Sequence, residues 1–188
     1  MSTEIERRAL KGSEVRAAEG ERKIIGYVAV FNSLSEDLGG FREVIMPGAF
    51  DRAIREGHDA VALWNHDSSE VLGRVSAGTL ALSVDEHGLR SEITPPASAE
   101  NRMETIRRGD VKAMSFGFRV LTDAWRTQDG DQVRELVDLE LLDVSPVAYP
   151  AYPATQVSTR ALERAREKAA LVPEGIPAEN IRLRRRER

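Results

Sequence analysis

The sequence predicts a mainly β fold with α elements (α+β), in which antiparallel strands are surrounded by a few helices. Residues 23–31, KIIGYVAVF, form a dense β-branched and aromatic run typical of a buried strand. Residues 79–93 contain two alternating runs joined by a DEHG turn, which is the pattern of a β-hairpin. Residues 111–126 and 132–144 alternate in the same way on either side of a TQDGD turn.

The chain divides into three parts by composition. Residues 1–21 mix charges with small side chains and carry few large apolar groups, so we expect a mobile lead-in. Residues 22–160 hold the strand patterns and form one predicted catalytic domain. Residues 161–188 combine an amphipathic helix with a basic end, RLRRRER, which we interpret as a tail.

Two short helices and one further strand are predicted between the main strands. Pro47 opens a helix that Gly57 ends, and Ser98 is a predicted N-cap of a second helix that Gly109 closes. Residues 61–67, VALWNHD, read as a strand that runs into a polar turn.

Composition limits the classes of function. The chain has 188 residues and no Cys, which excludes disulfides, thiolate metal sites and a Cys nucleophile. No apolar run has the roughly 18 to 20 residues that cross a bilayer, and no membrane association is expected. Residues 160–188 carry nine Lys or Arg against five Asp or Glu, a net of +4, which leaves −8 for the rest of the chain. Nucleic-acid binding is therefore not expected, except through the tail.

Ser115 is the candidate nucleophile. The period of two places Met114 and Phe116 on the core face of their strand and Ser115 on the other, with Ala113 and Gly117 beside it. Small neighbours predict a shallow open strip along which an extended peptide can reach the hydroxyl. A serine hydroxyl, however, needs a neighbouring base to remove its proton.

His66 is the candidate base among three histidines. It ends the VALWNH strand, where a sheet can hold an imidazole that still reaches a cleft, whereas His58 and His87 lie in turns where exposed polar residues are common. A base also needs an acceptor that fixes its tautomer.

The candidate acceptors lie in LVDLELLDV. Glu140 is the first choice and Asp138 the second, because both project from the face opposite Leu139. Asp143 is the third, because it has the opposite parity along the strand.

Each of these signals alone is common in proteins without catalytic activity, since small polar residues often line a solvated sheet face. Ala113 replaces the first Gly of a nucleophile elbow, which disfavours an α/β-hydrolase. A metal-dependent hydrolase using His58, His66 and Asp67 is an alternative, although the histidines are eight positions apart. We expect no metal and no cofactor.

Five segments in order resemble the prohead protease family of tailed phages across about residues 22–160. They are GYVAVFNSLSEDLGGFREVIMPGAF, LWNHD, LGRVSAGTL, GDVKAMSFGFRV and LLDVSPVAYPAYPAT. In that family the His of the NHD-like segment and the Ser of the MSFGF-like segment form the catalytic pair, which implies His66 and Ser115 here. The third residue is carried over less directly, because Asp143 stands where the family often has Glu.

The resemblance implies an antiparallel β-barrel surrounded by helices, as in the herpesvirus assemblin proteases. It also implies a serine endopeptidase of the immature phage capsid in the host cytoplasm, or a prophage-encoded cytoplasmic protein, that cleaves scaffold segments or the major capsid protein, and itself. A homodimer is an expectation of the same kind. The alternative is a non-catalytic capsid assembly or scaffold protein that retains the fold.

Overall fold

A computed structural model describes residues 4–9, 12–18 and 21–149. The predicted tail 161–188 and the domain boundary near residue 160 lie outside the described residues. No helix within the described part of the chain is long and apolar enough to cross a membrane.

Across the described residues, strands dominate and two short helices accompany them, so the predicted mainly β class with few helices is confirmed. The strands are β1 Glu6–Arg8, β2 Glu14–Ala17, β3 Ile24–Val30, β4 Arg42–Ile45, β5 Val61–Trp64, β6 Asp67–Arg74, β7 Leu80–Val84, β8 Gly88–Ile93, β9 Ala113–Gln128 and β10 Asp131–Val147. The helices are α1 Asp51–Arg55 and α2 Glu100–Arg107, with a 3₁₀ turn at Ala97–Ala99 before α2. Ser98 lies inside that turn and does not cap α2, whose N-cap is Ala99 without a side-chain hydrogen bond.

The strands form a six-stranded and a four-stranded sheet. The larger follows the order β1-β9-β10-β5-β6, with β4 also on β10, and the smaller follows β2-β3-β8-β7. β9 and β10 form the long predicted hairpin, whereas β4 and β5 pair with β10 in parallel, which the sequence did not predict. The pairing of β5 with Asp143 and Val144 is what carries the turn after β5 to the far end of β10.

The hydrophobic core lies on the inner face of both sheets. Phe116 at its centre packs edge to face on Phe50, at 5.8 Å between ring centroids, and stacks on Phe118 at 4.9 Å. The helices close the core with Ala53 from α1 and Met103 from α2, both buried. The predicted inward face of β9 is therefore confirmed.

The N-terminal segment differs from the predicted mobile lead-in, because it contributes β1 to the larger sheet and β2 to the smaller one. Among the described residues of this segment, only Val15 adds a large apolar side chain to the core. Glu6 and Arg8 of β1 are 4% and 3% exposed and are held by ion pairs. An apolar pattern could not reveal a strand that is anchored by charge.

Candidate active site

Ser115 lies at the start of β9, opposite Ser145 of β10. Its Oγ is 2.7 Å from Nε2 of His66 and 3.0 Å from the carbonyl oxygen of Arg8. The residue is fully buried, at 0% exposure. The predicted open strip is therefore wrong for this structure, because β1 pairs along β9 beside Gly117 and covers the hydroxyl.

His66 occupies a two-residue turn between β5 and β6. Asn65 and His66 have φ values of 52° and 60°, and Trp64 pairs with Asp67 across the turn. Positive φ at both central positions is the pattern of a tight hairpin turn that normally favours Asn-Gly. A histidine there costs about 1 kcal/mol or more in backbone energy, a cost typical of functional positions.

The last residues of β10 anchor the histidine turn. The Asn65 N–H donates to the Pro146 carbonyl at 3.1 Å, and the Ala148 N–H donates to the Asn65 side-chain oxygen at 3.0 Å. These two bonds fix the turn in the orientation that aims the imidazole of His66 at Ser115.

Asp143 holds the other side of the imidazole. Its Oδ1 lies 2.5 Å from His66 Nδ1 and accepts a second hydrogen bond from Ser145 Oγ at 2.9 Å. A carboxylate only accepts hydrogen bonds, so this contact favours the tautomer with the proton on Nδ1, in which Nε2 can accept from Ser115. The side chains of His66 and Asp143 are 10% and 11% exposed, which limits solvent screening of their interaction.

Gly117 makes room for this carboxylate. A Cβ built on Gly117 would lie 2.0 Å from Asp143 Oδ2. The gap that the sequence suggested for a peptide is thus filled by the side chain of Asp143, and any residue larger than Gly would displace it.

Glu140 is not at the imidazole. It pairs with Arg119 at 3.0 Å, and Asp138 accepts from Arg52 at 3.0 Å. Strict alternation along β10 puts Asp143 on the wrong face, because the strand has a bulge between Leu141 and Asp143. The extra residue brings Asp143 opposite Gly117, on the same face as Ser115.

The residues of the metal-hydrolase alternative do not gather. His58 lies near Glu56 and Arg52, and Asp67 caps the backbone of Ser69. Within the ranges that the structure describes, no group of three or more His, Cys, Asp or Glu side chains could hold a metal ion.

Sequence reasoning did not identify three contributors to the site: Asn65, Ser145 and Arg8. Asn65 stands directly before the histidine, and its tolerance of positive φ is a usable signal for a tight turn there. Ser145 is two residues from Asp143 and shares its face, so it would have followed once Asp143 was chosen. The position of Arg8 depends on long-range pairing that no local pattern reveals.

A hydroxyl, an imidazole and a carboxylate in this order define a serine hydrolase type of site, able to activate the hydroxyl by proton transfer. A model of the caudovirus prohead serine proteases matches residues 9–169 of the chain. The chain therefore belongs to the caudovirus prohead serine protease family. Comparison with curated proteins and with solved structures gives no match.

Proposed function

We propose that the chain is a capsid maturation serine endopeptidase with Ser115 as nucleophile, His66 as general base and Asp143 as the orienting acid. The single observation that carries this assignment is the continuous contact from Ser115 Oγ to Nε2 at 2.7 Å and from Nδ1 to Asp143 at 2.5 Å. Family membership supplies the reaction class, since the matched family is one of serine proteases.

The reaction is acyl transfer in two halves. As the Ser115 Oγ bonds to the carbonyl carbon of the scissile peptide, its proton passes to Nε2 of His66, and Asp143 stabilises the imidazolium that results. The proton then moves to the departing amine nitrogen as the C–N bond breaks. Water hydrolyses the acyl ester by the reverse route and restores the free hydroxyl.

The substrates follow from the prohead location that the family name states. We propose that the enzyme acts within the immature capsid in the host cytoplasm and cleaves scaffold segments or the major capsid protein, and itself. A fold closed into a barrel like that of the herpesvirus assemblins, and an active homodimer, belong to the same proposal. They rest on the family resemblance of the segments around His66 and Ser115.

Co-expression with the accompanying major capsid protein tests the proposal. The wild-type chain is expected to shift the substrate band on a gel, and Ser115→Ala to leave it uncut. Ser91→Ala is a matched control, because Ser91 is also a buried strand serine and its hydroxyl donates to a backbone carbonyl, that of Gly26. His66→Ala and His58→Ala form a second pair, in which only the first abolishes cleavage.

Two outcomes would contradict the proposal. Processing at the wild-type rate by a folded Ser115→Ala variant would favour the non-catalytic assembly protein. Loss of activity in EDTA would favour a metal-dependent enzyme. A fluorophosphonate probe that forms an adduct at Ser115 separates the serine mechanism from both.

A further inference from the structure

β1 lies along the edge of β9 in the position that an added peptide strand takes. Glu6 pairs with Phe118, Arg7 with Gly117 and Arg8 with Phe116, in antiparallel register. β9 is bonded to β10 on its other side, so removal of β1 leaves the backbone of residues 116–118 unpaired. Such an edge, which we call the β9 edge, is what a protein uses to bind an extended peptide by strand addition.

The Arg8 carbonyl brings β1 to the reacting atoms. Its oxygen is 3.0 Å from Ser115 Oγ, which is also 2.7 Å from Nε2 of His66. A hydroxyl has one proton, so the carbonyl competes with the imidazole for the proton that catalysis must move. The contact is made to the carbonyl oxygen, whereas acyl transfer needs Oγ at the carbonyl carbon. β1 therefore occupies the site, but its peptide bond after Arg8 is not aligned for attack by Ser115.

Charged side chains determine how β1 is held. Arg8 donates from Nε to one Glu43 oxygen at 2.5 Å and from Nη2 to the other at 3.1 Å, and its guanidinium lies over the Phe118 ring. The Glu6 carboxylate accepts a hydrogen bond from Arg134 Nη1 at 3.0 Å. Arg7 between them is exposed, since alternate residues of a strand face opposite ways.

The four buried charges balance. Burial lowers the pKa of Arg8, but the carboxylates of Glu43 and Glu6 outweigh it and raise that pKa above its ordinary value. β1 contributes one carboxylate and one guanidinium, and the site contributes the Arg134 guanidinium with the carboxylates of Glu43 and Asp123, which bond to it at 2.9 Å and 2.8 Å. A paired site therefore remains when β1 leaves, ready for another peptide with the same two charges.

The residues that receive β1 lie within the region that the family model matches. The matched region begins at residue 9, directly after β1, and includes Glu43, Arg134 and Ser115. The receiving side of the contact thus lies within the matched region.

We propose that the β9 edge is the substrate-binding edge, that β1 is its intramolecular occupant, and that Glu43 and Arg134 select an extended peptide of the pattern Glu-x-Arg. This inference deepens the proposed function and rests on it for the chemistry. In a cleaved substrate the carbonyl of this Arg turns so that its carbon, and not its oxygen as in β1, meets Ser115 Oγ. The bond to the next residue's nitrogen then breaks as described above. An external substrate must displace β1, which makes the strand a competitor built into the chain.

Labelling of Ser115 by a fluorophosphonate tests the occupancy in the full-length chain. Arg8→Ala removes the guanidinium from β1 and is expected to raise the labelling rate at least tenfold, because the strand leaves the hydroxyl more often. Arg7→Ala, the exposed neighbour on the same strand, is expected to stay within twofold of wild type. A folded Arg8→Ala variant that labels no faster than wild type would overturn the occupancy.

Peptide binding tests the selection of the Glu-x-Arg pattern independently of peptide-bond cleavage. Two fluorescent peptides are compared: the parent, IERRAL, and a doubly substituted version with Ala in place of its Glu and of its second Arg. Each is titrated into full-length Ser115→Ala, and binding is followed by fluorescence anisotropy. The parent is expected to bind at least tenfold more tightly than the doubly substituted peptide, and a version altered only at its first Arg is expected to bind like the parent. Equal affinities would overturn the selection, and this arm remains decisive if Arg8→Ala does not fold.

The two arms separate this inference from the proposed function. If the parent peptide binds more tightly than the substituted one but the fluorophosphonate labels Ser115 in no variant, the catalytic role is refuted and the binding edge is retained. A reactive Ser115 together with peptides that bind alike would retain the protease and refute the Glu-x-Arg pattern.

Discussion

Replacement of Asp143 by Asn tests the catalytic arrangement most directly. The change keeps the shape of the side chain but removes its charge next to an imidazole whose Nδ1 is 2.5 Å from Oδ1. Opposite unit charges about 4 Å apart attract by about 4 kcal/mol at an effective dielectric constant near 20. That energy corresponds to about a 10³-fold loss in rate, at about 1.36 kcal/mol per tenfold.

The tautomer adds to this loss. An Asn amide can turn its NH₂ toward Nδ1, which moves the ring proton to Nε2 and leaves Ser115 without an acceptor. We therefore expect the rate to fall by about 10³ to 10⁴ in a substrate-cleavage assay, with little change in the thermal midpoint. Glu140→Gln is the matched control, because Glu140 forms a partly exposed pair with Arg119 and such pairs are worth about 0 to 1 kcal/mol.

The opposite result would refute the reasoning. If Asp143→Asn kept at least a tenth of the wild-type rate while Glu140→Gln lost a hundredfold, the acid would be Glu140 and the contact with Asp143 would have only a structural role. A fold check by circular dichroism on both variants ensures that the comparison concerns rate alone.

Three further changes probe the supports of the site. Gly117→Ala places a methyl group 2.0 Å from Asp143 Oδ2, so cleavage should fall at least tenfold, and adding Asp143→Ala should restore the thermal midpoint to that of Asp143→Ala alone. His66→Gly and His66→Ala should both be inactive, but Gly tolerates φ of 60° and should be more stable by about 1 kcal/mol in urea unfolding; equal stability would exclude strain in the turn. Ser145→Ala removes one hydrogen bond to the carboxylate and should lower kcat several-fold with KM unchanged, and a change in KM alone would contradict its positioning role.

Periodicity predicted the elements whose stability comes from apolar packing. β3 follows a dense apolar run, and the hairpin of β7 and β8 and the inner face of β9 follow alternation that the chain displays locally. Phe116 lies buried where the pattern places it. The approach of His66 to Ser115 was also expected, from the strand end and from family resemblance. Those features depend on residues near one another in sequence or on motifs that are visible as such.

The rest depended on events that periodicity cannot represent. The bulge before Asp143 inserts one residue and moves the carboxylate to the Ser115 face, so a strict count of two gives Glu140. β1 escaped prediction because Glu6 and Arg8 are buried against charges from distant strands. A charged residue is usually exposed, and only three-dimensional pairing reverses that expectation.

The anchoring of Asn65 to the end of β10 bears on how the site withstands thermal motion. β10 carries Asp143 and pairs with β9, which carries Ser115. Pro146 of β10 and Ala148 just after it bond to Asn65, in the turn that carries His66. Ser115, His66 and Asp143 thus all depend on the same short stretch of the β9–β10 ladder. Fraying of the β9–β10 pairs between residues 113–117 and 143–147 would therefore misalign all three together.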